Sequence, residues 1–321
     1  MKLDPRQLFH LQSVIEHGGF GRASEAIHLT QPALTRSIQA LERNIGSKLI
    51  NRQRGGLVLT EVGQLLLEHT SHLDQAEREL QRRITMIKGL ELGELRIGVG
   101  MFGAAGLIGP AIGLLNQLHP RIKVRVTVAP YHEMPERVLN GDLDIIVMEK
   151  SLLTDSDQFE IENLSPHPIT LVCRKGHPLQ AKKKVDLSDM LLFPLAAPKM
   201  PPALAESFKN KLLVAAPDFA GQARDLATVE CDSWRILIDV VLNSDAVAVA
   251  PLFVIEHELR SGLLHTFPPF DIGFDFHLAL AYRGRRELSS SETRFIELLH
   301  QHDKQTFLTM SQLITGASSD N

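Results

Sequence analysis

The sequence predicts an α/β protein built in series. A small, basic, all-α module comes first, then one long helix, then a larger α/β module of two lobes. Three observations carry this. Charge is uneven: residues 1–60 hold eight basic and four acidic residues, a net of +4 on a chain whose total is -4. Apolar residues recur at helical spacing up to about residue 89 and then change, from Gly93, to short strands alternating with helices. Between the two lies a stretch of about thirty residues that reads as one long helix. At 321 residues the chain exceeds one typical domain. Its 44% apolar and 22% charged residues are ordinary for globular proteins and exclude a disordered, collagen-like or rod-like chain. No apolar run approaches the ~18 residues of a membrane span. Met1–Arg6 carries charge and proline where a signal peptide needs an apolar run, so a cytoplasmic location is expected.

The first helix is predicted from Leu8, Leu11, Val14 and Ile15, ending at Gly18-Gly19. A second fits Arg22 to Ile27, and His28-Leu29-Thr30 is a turn. A third begins with Thr30 as N-cap and Pro32 in the first turn, where a missing N–H costs nothing. Gly46 ends it. Its apolar stripe is Leu34, Ile38, Leu41 and Ile45; the opposite face shows Gln31, Thr35, Arg36, Gln39 and Arg43. Those side chains suit base edges and phosphates better than a core. Helix, short turn, helix is the helix-turn-helix arrangement. Lys48 to Leu59 reads as a β-hairpin wing carrying Arg52 and Arg54. The helix face alone also fits a solvated surface of a three-helix bundle; the basic wing and the local charge favour DNA.

The run Gly18 to Gly46, with Ala23, Gln31-Pro32-Ala33-Leu34-Thr35-Arg36 and Leu41-Glu42, closely resembles the LysR-type transcriptional regulators. Leu49-Ile-Asn-Arg52 and Leu59-Thr60-Glu-Val-Gly63 fit the same pattern. The match is dense over residues 5–66 and looser beyond. Departures are Gly21 where a serine N-cap is usual, Ser24 in place of an alanine, and Ile50 in place of phenylalanine. The resemblance implies a winged helix-turn-helix, a paired linker helix and an effector domain similar in fold to periplasmic binding proteins. It also implies a homodimer, commonly joined into a tetramer, that reads an operator of double-stranded DNA, with RNA polymerase as a candidate partner.

Thr60 can cap the long helix, which is expected to reach Gly89 and to span roughly 45 Å. Val62, Leu66, Leu73, Ala76, Leu80, Ile84 and Ile87 form one seam, with polar residues elsewhere. Such a seam suits a partner helix or the chain's own domains.

In the C-terminal module, strands at Leu95–Val99, Lys123–Val128 and Ile145–Met148 alternate with helices near Leu107–Leu118 and Met134–Asn140. This is βαβαβ, an open parallel sheet. A second unit starts at Ile169–Cys173 and includes Leu191–Ala196, a helix near Ser233–Asn243 and Ala246–Ala250. Leu278–Tyr282 and a helix at about Ser291–Ile314 return to the first unit, and Gly316–Asn321 is expected to fray. The expected divisions are 1–59 for DNA binding, 60–90 for the linker, and 91–321 for the effector domain. Lobe I takes about 91–166 and 268–315, and lobe II about 167–267.

Gly98-Val-Gly100-Met101-Phe102-Gly103 matches the G-x-G-x-x-G pattern between a strand and a helix. A dinucleotide would need an acid ending the next strand, and Val126-Thr-Val-Ala-Pro130 has none. The better reading is a helix N-terminus that attracts an anion such as a carboxylate. The family's small-molecule site lies here, usually with serine or threonine. Met101 and Phe102 add apolar bulk instead, which points to an apolar or aromatic effector held by backbone N–H groups, or to an altered or lost site. Strand ends supply further cleft candidates: Pro130, Tyr131 and His132; Met148; Ala197 and Pro198; Ser233 and Trp234. Structural packing competes at each, most of all at Trp234.

Fourteen histidines include no i, i+4 metal face with a third ligand, and Cys173 and Cys231 match no zinc or disulfide pattern. His177-Pro178 reads as a structural turn and Cys173 as an inert buried thiol. No nucleophile-elbow, zincin or phosphate-loop motif occurs. No metal or cofactor is expected, and the chain is not expected to be an enzyme. The expectation is a sequence-specific DNA-binding transcriptional regulator, controlled by a small-molecule effector between two α/β lobes. The alternatives are an architectural DNA binder without an effector, and an enzyme or binding protein built on the α/β module.

Overall fold

The computed structural model describes residues 3–53, 56–87, 93–153, 157–182, 184–215, 227–267 and 277–317. The chain forms two compact units, Met1–Ile84 and Thr85–Asn321.

In the first unit, α1 (Pro5–Glu16), α2 (Phe20–Ala26) and α3 (Gln31–Ile45) precede a hairpin of β1 (Ile50–Gln53) and β2 (Gly56–Leu59), then α4 (Glu61–Ile87). Asp4 caps α1 by accepting from the Arg6 N–H at 2.9 Å. Helix α2 starts two residues before the expected Arg22, because Gly19 rather than Gly21 occupies the N-cap. Gly21 therefore lies inside the helix, and its carbonyl accepts the hydroxyl of buried Ser24 at 2.7 Å. The departure from alanine at that position thus leaves no unsatisfied polar atom. His28 takes the left-handed conformation, φ 54°, to close the turn into α3. Helix α3 ends on left-handed Gly46, as its sequence predicts. The core joins Leu8, Leu11, Ile38, Leu41, Leu49 and Leu66, with Val14, Ala23 and Leu34 beside it. The expected end of the long helix at Gly89 lies outside the described residues, and α4 is traced to Ile87.

The second unit opens with β3 (Gly93–Val99), α5 (Met101–Gly106), α6 (Ile108–Leu118), β4 (Ile122–Val128), α7 (Met134–Leu139), β5 (Ile145–Glu149), β6 (Phe159–Asn163) and β7 (Ile169–Arg174). There follow α8 (Leu187–Met190), β8 (Ala196–Ala197), α9 (Pro202–Ala215), β9 (Val229–Glu230), α10 (Trp234–Leu242), β10 (Ala248–Pro251) and α11 (Glu256–Arg260). It closes with β11 (Leu264–Thr266), β12 (Leu278–Arg283) and α12 (Ser290–Ala317). One sheet runs β4-β3-β5-β12-β6. Its first three strands are parallel, the expected βαβαβ, while β12 and β6 extend it antiparallel. The second sheet, β10-β7-β11, is antiparallel, and β8-β9 form a short parallel pair. The helix expected near Leu107–Leu118 is α6, and a further short helix, α5, stands between it and β3. Helix α12 continues through Gly316, where fraying was expected; residues 318–321 lie outside the described residues.

One apolar core runs through both lobes, from Leu95, Ile97 and Val99 to Leu237, Ala250 and Phe253. Arg96 ties β3 to the loop before β5, donating to Asp144 and to the Gly141 carbonyl, each at 2.7 Å. Arg286 and buried Glu292 do the same at the start of α12.

Candidate nucleic-acid interface and ligand cavity

Helix α3 is held from behind and open in front. Leu34, Ile38 and Leu41 are buried, so the opposite face turns outwards. Gln31, Pro32, Arg36, Gln39 and Arg43 on that face are exposed and Thr35 is half-buried. Thr30 caps the helix by accepting from Ala33 N–H at 3.4 Å. Ser37 meets Nδ1 of His10 on α1 at 2.7 Å, which orients the two helices. Glu42 fastens α3 to the segment leading into β1: it accepts from Lys48 Nζ at 2.8 Å and from the Leu49 N–H at 3.0 Å. Burial pushes the Glu42 carboxyl pKa up, but Lys48 and the backbone N–H outweigh it and hold the group below the ordinary carboxylate value. In the wing, Arg52 lies on β1 opposite Leu57, while Arg54 lies outside the described residues.

A cavity of about 650 Å³ opens in the second unit at the carboxyl ends of β3, β4 and β5. That is the usual location of a ligand site in an open α/β sheet, and the volume is that of a drug-sized ligand. Nine of the twelve residues named from sequence line it: Gly100, Met101, Phe102, Pro130, Tyr131, His132, Met148, Ala197 and Pro198. The other three do not. Gly103 faces inwards, where an added Cβ would stand 2.8 Å from Val99 Cγ2. Trp234 is buried and packs on the cavity-lining Phe102, with ring centroids 5.5 Å apart. Ser233 is the N-cap of α10 and is not among the lining residues.

The glycine pattern has a packing cause. At Gly98 an added Cβ would meet Leu143 Cδ1 at 2.5 Å, and Gly103 sits against Val99 and Val147. The Gly100 N–H, counted on as an anion donor, is used by the Val147 carbonyl at 2.9 Å. Helix α5 behind it is only six residues long. The wall is apolar instead, and much of it comes from residues that the sequence did not single out: Leu152, Met200, Leu204 and Phe208. Also missed were the charged residues Glu149, Lys199 and Asp232. Glu149 is buried, an environment that no local pattern in β5 announces.

Elsewhere His177, His300 and Cys173 are tied into the packing. His177 accepts from Leu179 N–H at 3.1 Å, and His300 pairs with Glu162 at 2.8 Å. Burial lifts the Cys173 thiol to about 11, so it is not a thiolate at neutral pH. Among the described residues no group of three His, Cys, Asp or Glu could hold a metal ion, and no helix is long and apolar enough to cross a membrane.

A helix-turn-helix with an exposed polar face, joined in one chain to a module with an apolar cavity, defines a ligand-responsive DNA-binding regulator. Residues 5–64 match the bacterial regulatory helix-turn-helix proteins of the lysR family, and residues 88–304 match the LysR substrate-binding domain. The chain belongs to the LysR family; it is a transcriptional regulator with an effector-binding domain, not an enzyme. It is 35% identical over 263 residues to the SDS degradation transcriptional activation protein of a Pseudomonas species, covering 81% of this chain and 83% of that one. It is 26% identical over 189 residues to the RuBisCO operon transcriptional regulator of Allochromatium vinosum, covering 59% of this chain and 61% of that one. Among solved structures, its fold is similar to that of full-length CbnR complexed with target DNA, with a TM-score of 0.63, 19% identity, and 94% of this chain and 100% of that one covered. A full-length OxyR variant from Pseudomonas aeruginosa gives a TM-score of 0.60 at 20% identity, covering 95% of each chain.

Proposed function

We propose that Gln31, Thr35, Arg36 and Gln39 enter the major groove of an operator, with Pro32 shaping the start of α3 against the DNA. Arg52 and Arg54 hold the backbone from the wing. The observation that carries this reading is the outward face of α3, where exposed Gln31, Arg36 and Gln39 and half-buried Thr35 stand away from the buried Leu34, Ile38 and Leu41. Residues 1–59 form the DNA-binding domain, 60–90 the linker and 91–321 the effector-binding domain.

The regulator acts as a homodimer through α4, where Leu73, Ala76 and Leu80 of the apolar seam are exposed. Two dimers form a tetramer, and a regulator so assembled works in the cytoplasm beside RNA polymerase. The effector occupies the cavity lined by Gly100, Met101, Phe102, Tyr131, His132, Met148 and Ala197. Its binding changes the relative disposition of the DNA-binding units, and with it the bend or spacing of bound DNA.

Selection from genomic fragments, followed by footprinting at near-physiological salt, tests the reading. The expected result is a protected, imperfectly palindromic site bound with a steep salt dependence. Salt-sensitive binding without a preferred site would instead mark an architectural protein.

A further inference from the structure

The cavity has an apolar wall and one buried carboxyl group. Phe102, Met148, Leu152, Met200, Leu204 and Phe208 supply the wall. Glu149, at the end of β5, lines the same space and is only 6% exposed. Ser151 donates its hydroxyl to Glu149 Oε2. Among the described residues no cation lies within ion-pair distance of Glu149. The other charged lining residues are Asp232, which adds negative charge, and the exposed Lys199. His132 is also exposed, and it faces Glu133 at 3.9 Å. An anionic head group taken into this cavity would meet a buried carboxylate without a counter-charge. Two like charges in a poorly hydrated space repel strongly. A hydroxyl head would instead donate a hydrogen bond to that carboxylate while its chain fills the apolar wall. The volume of about 650 Å³ falls within the range that holds a drug-sized molecule.

We propose that the effector is an uncharged aliphatic alcohol, its chain against Phe102 and Met148 and its hydroxyl donating to Glu149. This rests on the cavity being the effector site. It also bears on a relative concerned with degrading an alkyl sulfate. Hydrolysis of such an ester releases a primary alcohol and sulfate, so the ligand read here is the chemistry of the product rather than of the starting ester.

The test uses the full chain with 1-decanol and decyl sulfate, which share one chain length, each below its aggregation limit. Calorimetry reads affinity. Emission of Trp234, the single tryptophan, reports binding at the cavity wall through Phe102. The expected result is decanol bound at least roughly tenfold more tightly than decyl sulfate. Glu149→Gln, which removes the charge at nearly constant shape, should narrow that gap to under about threefold. Ala197→Phe, which fills the cavity, should abolish binding of both. Decyl sulfate binding as tightly as decanol, yet lost in Ala197→Phe, would overturn the alcohol and leave the cavity as the effector site. Binding indifferent to Ala197→Phe would overturn both. Failure of the wild-type chain to bind either probe would overturn the alcohol. The wild-type ratio decides even if a variant folds poorly.

Discussion

The outer face of α3 and the wall of the cavity solve opposite recognition problems with opposite surfaces. One offers Gln31, Thr35, Arg36 and Gln39 within nine residues of a single helix, all on the side away from Leu34 and Ile38. The other draws Gly100, Tyr131, Met148, Ala197 and Phe208 from five segments spread over more than a hundred residues, and it is mostly apolar. A polyanion is read by many exposed donors in one line, so its site is local. A small apolar ligand is held by excluding water on all sides, so its site is made by the tertiary fold.

The first way to break the comparison is to remove what holds α3 from behind. Leu34 is fully buried beside Val14 and Ala23. Leu34→Ala should cost about 2–5 kcal/mol of stability in the first unit, from lost transfer free energy and the cavity left behind. Calorimetry should show the unfolding of that unit move to lower temperature while the larger unit is unchanged. DNA affinity should fall with it. A uniform shift of both units would mean that they do not unfold independently.

A second prediction concerns the glycine pattern. Gly103→Ala places a methyl 2.8 Å from Val99 Cγ2 and 3.3 Å from Val147 Cγ1. Both valines are stiff, so overpacking should cost about 1–3 kcal/mol in the larger unit. If Gly103 instead made room for a ligand, the substitution would weaken ligand binding at unchanged stability.

The same contrast explains what could be read in advance. Helix α3 was legible to the residue because cap, stripe and terminator (Thr30, Leu34 to Ile45, Gly46) lie in one continuous run. The strand-end rule found Tyr131, His132 and Met148, since β4 announces itself by alternation and β5 by an apolar run. Strand β6 escaped because Phe159–Asn163 is short and half-exposed, and it takes its place only by pairing with β12. Helix α9, Pro202–Ala215, has only a short stripe of Leu204, Phe208 and Leu212, with Leu213 and Val214 off it, so nothing in the sequence marks Leu204 and Phe208 as lining a wall. Glu149 escaped for another reason: a carboxylate ending a strand reads as a solvated edge, and only the fold buries it. Trp234 and Gly103 were assigned one layer too far out, because strand ends and helix starts carry core residues as well as ligand contacts.

A third prediction sharpens the DNA side. Arg36 is exposed on α3. Arg36→Ala should weaken operator binding by about 1–3 kcal/mol, roughly five- to 150-fold, with the dimer intact. Fluorescence anisotropy on operator and scrambled duplexes separates the roles. Loss confined to the operator marks base reading; equal loss on both, with a shallower salt slope, marks a phosphate contact.

The smallest effect tests the fastening behind α3. Glu42 is a half-buried carboxylate held by Lys48 and the Leu49 N–H, and its pKa in the folded chain lies below the ordinary 4.5. A depressed pKa stabilises the folded state while pH stays above the unfolded value, and that contribution disappears as pH falls through the folded value. Glu42→Gln keeps the shape but removes the charge, so at neutral pH it should cost about 1 kcal/mol, the worth of one charge-assisted hydrogen bond to a partly exposed partner. Denaturant unfolding of the wild-type and variant chains should therefore differ at pH 7 and converge at pH values below the carboxylate range. A difference that persisted in acid would assign the loss to packing around Glu42 and not to its charge. Because the outer face of α3 is untouched, operator affinity at neutral pH should stay within about twofold of wild type, which separates the fastening of the helix from the reading of DNA.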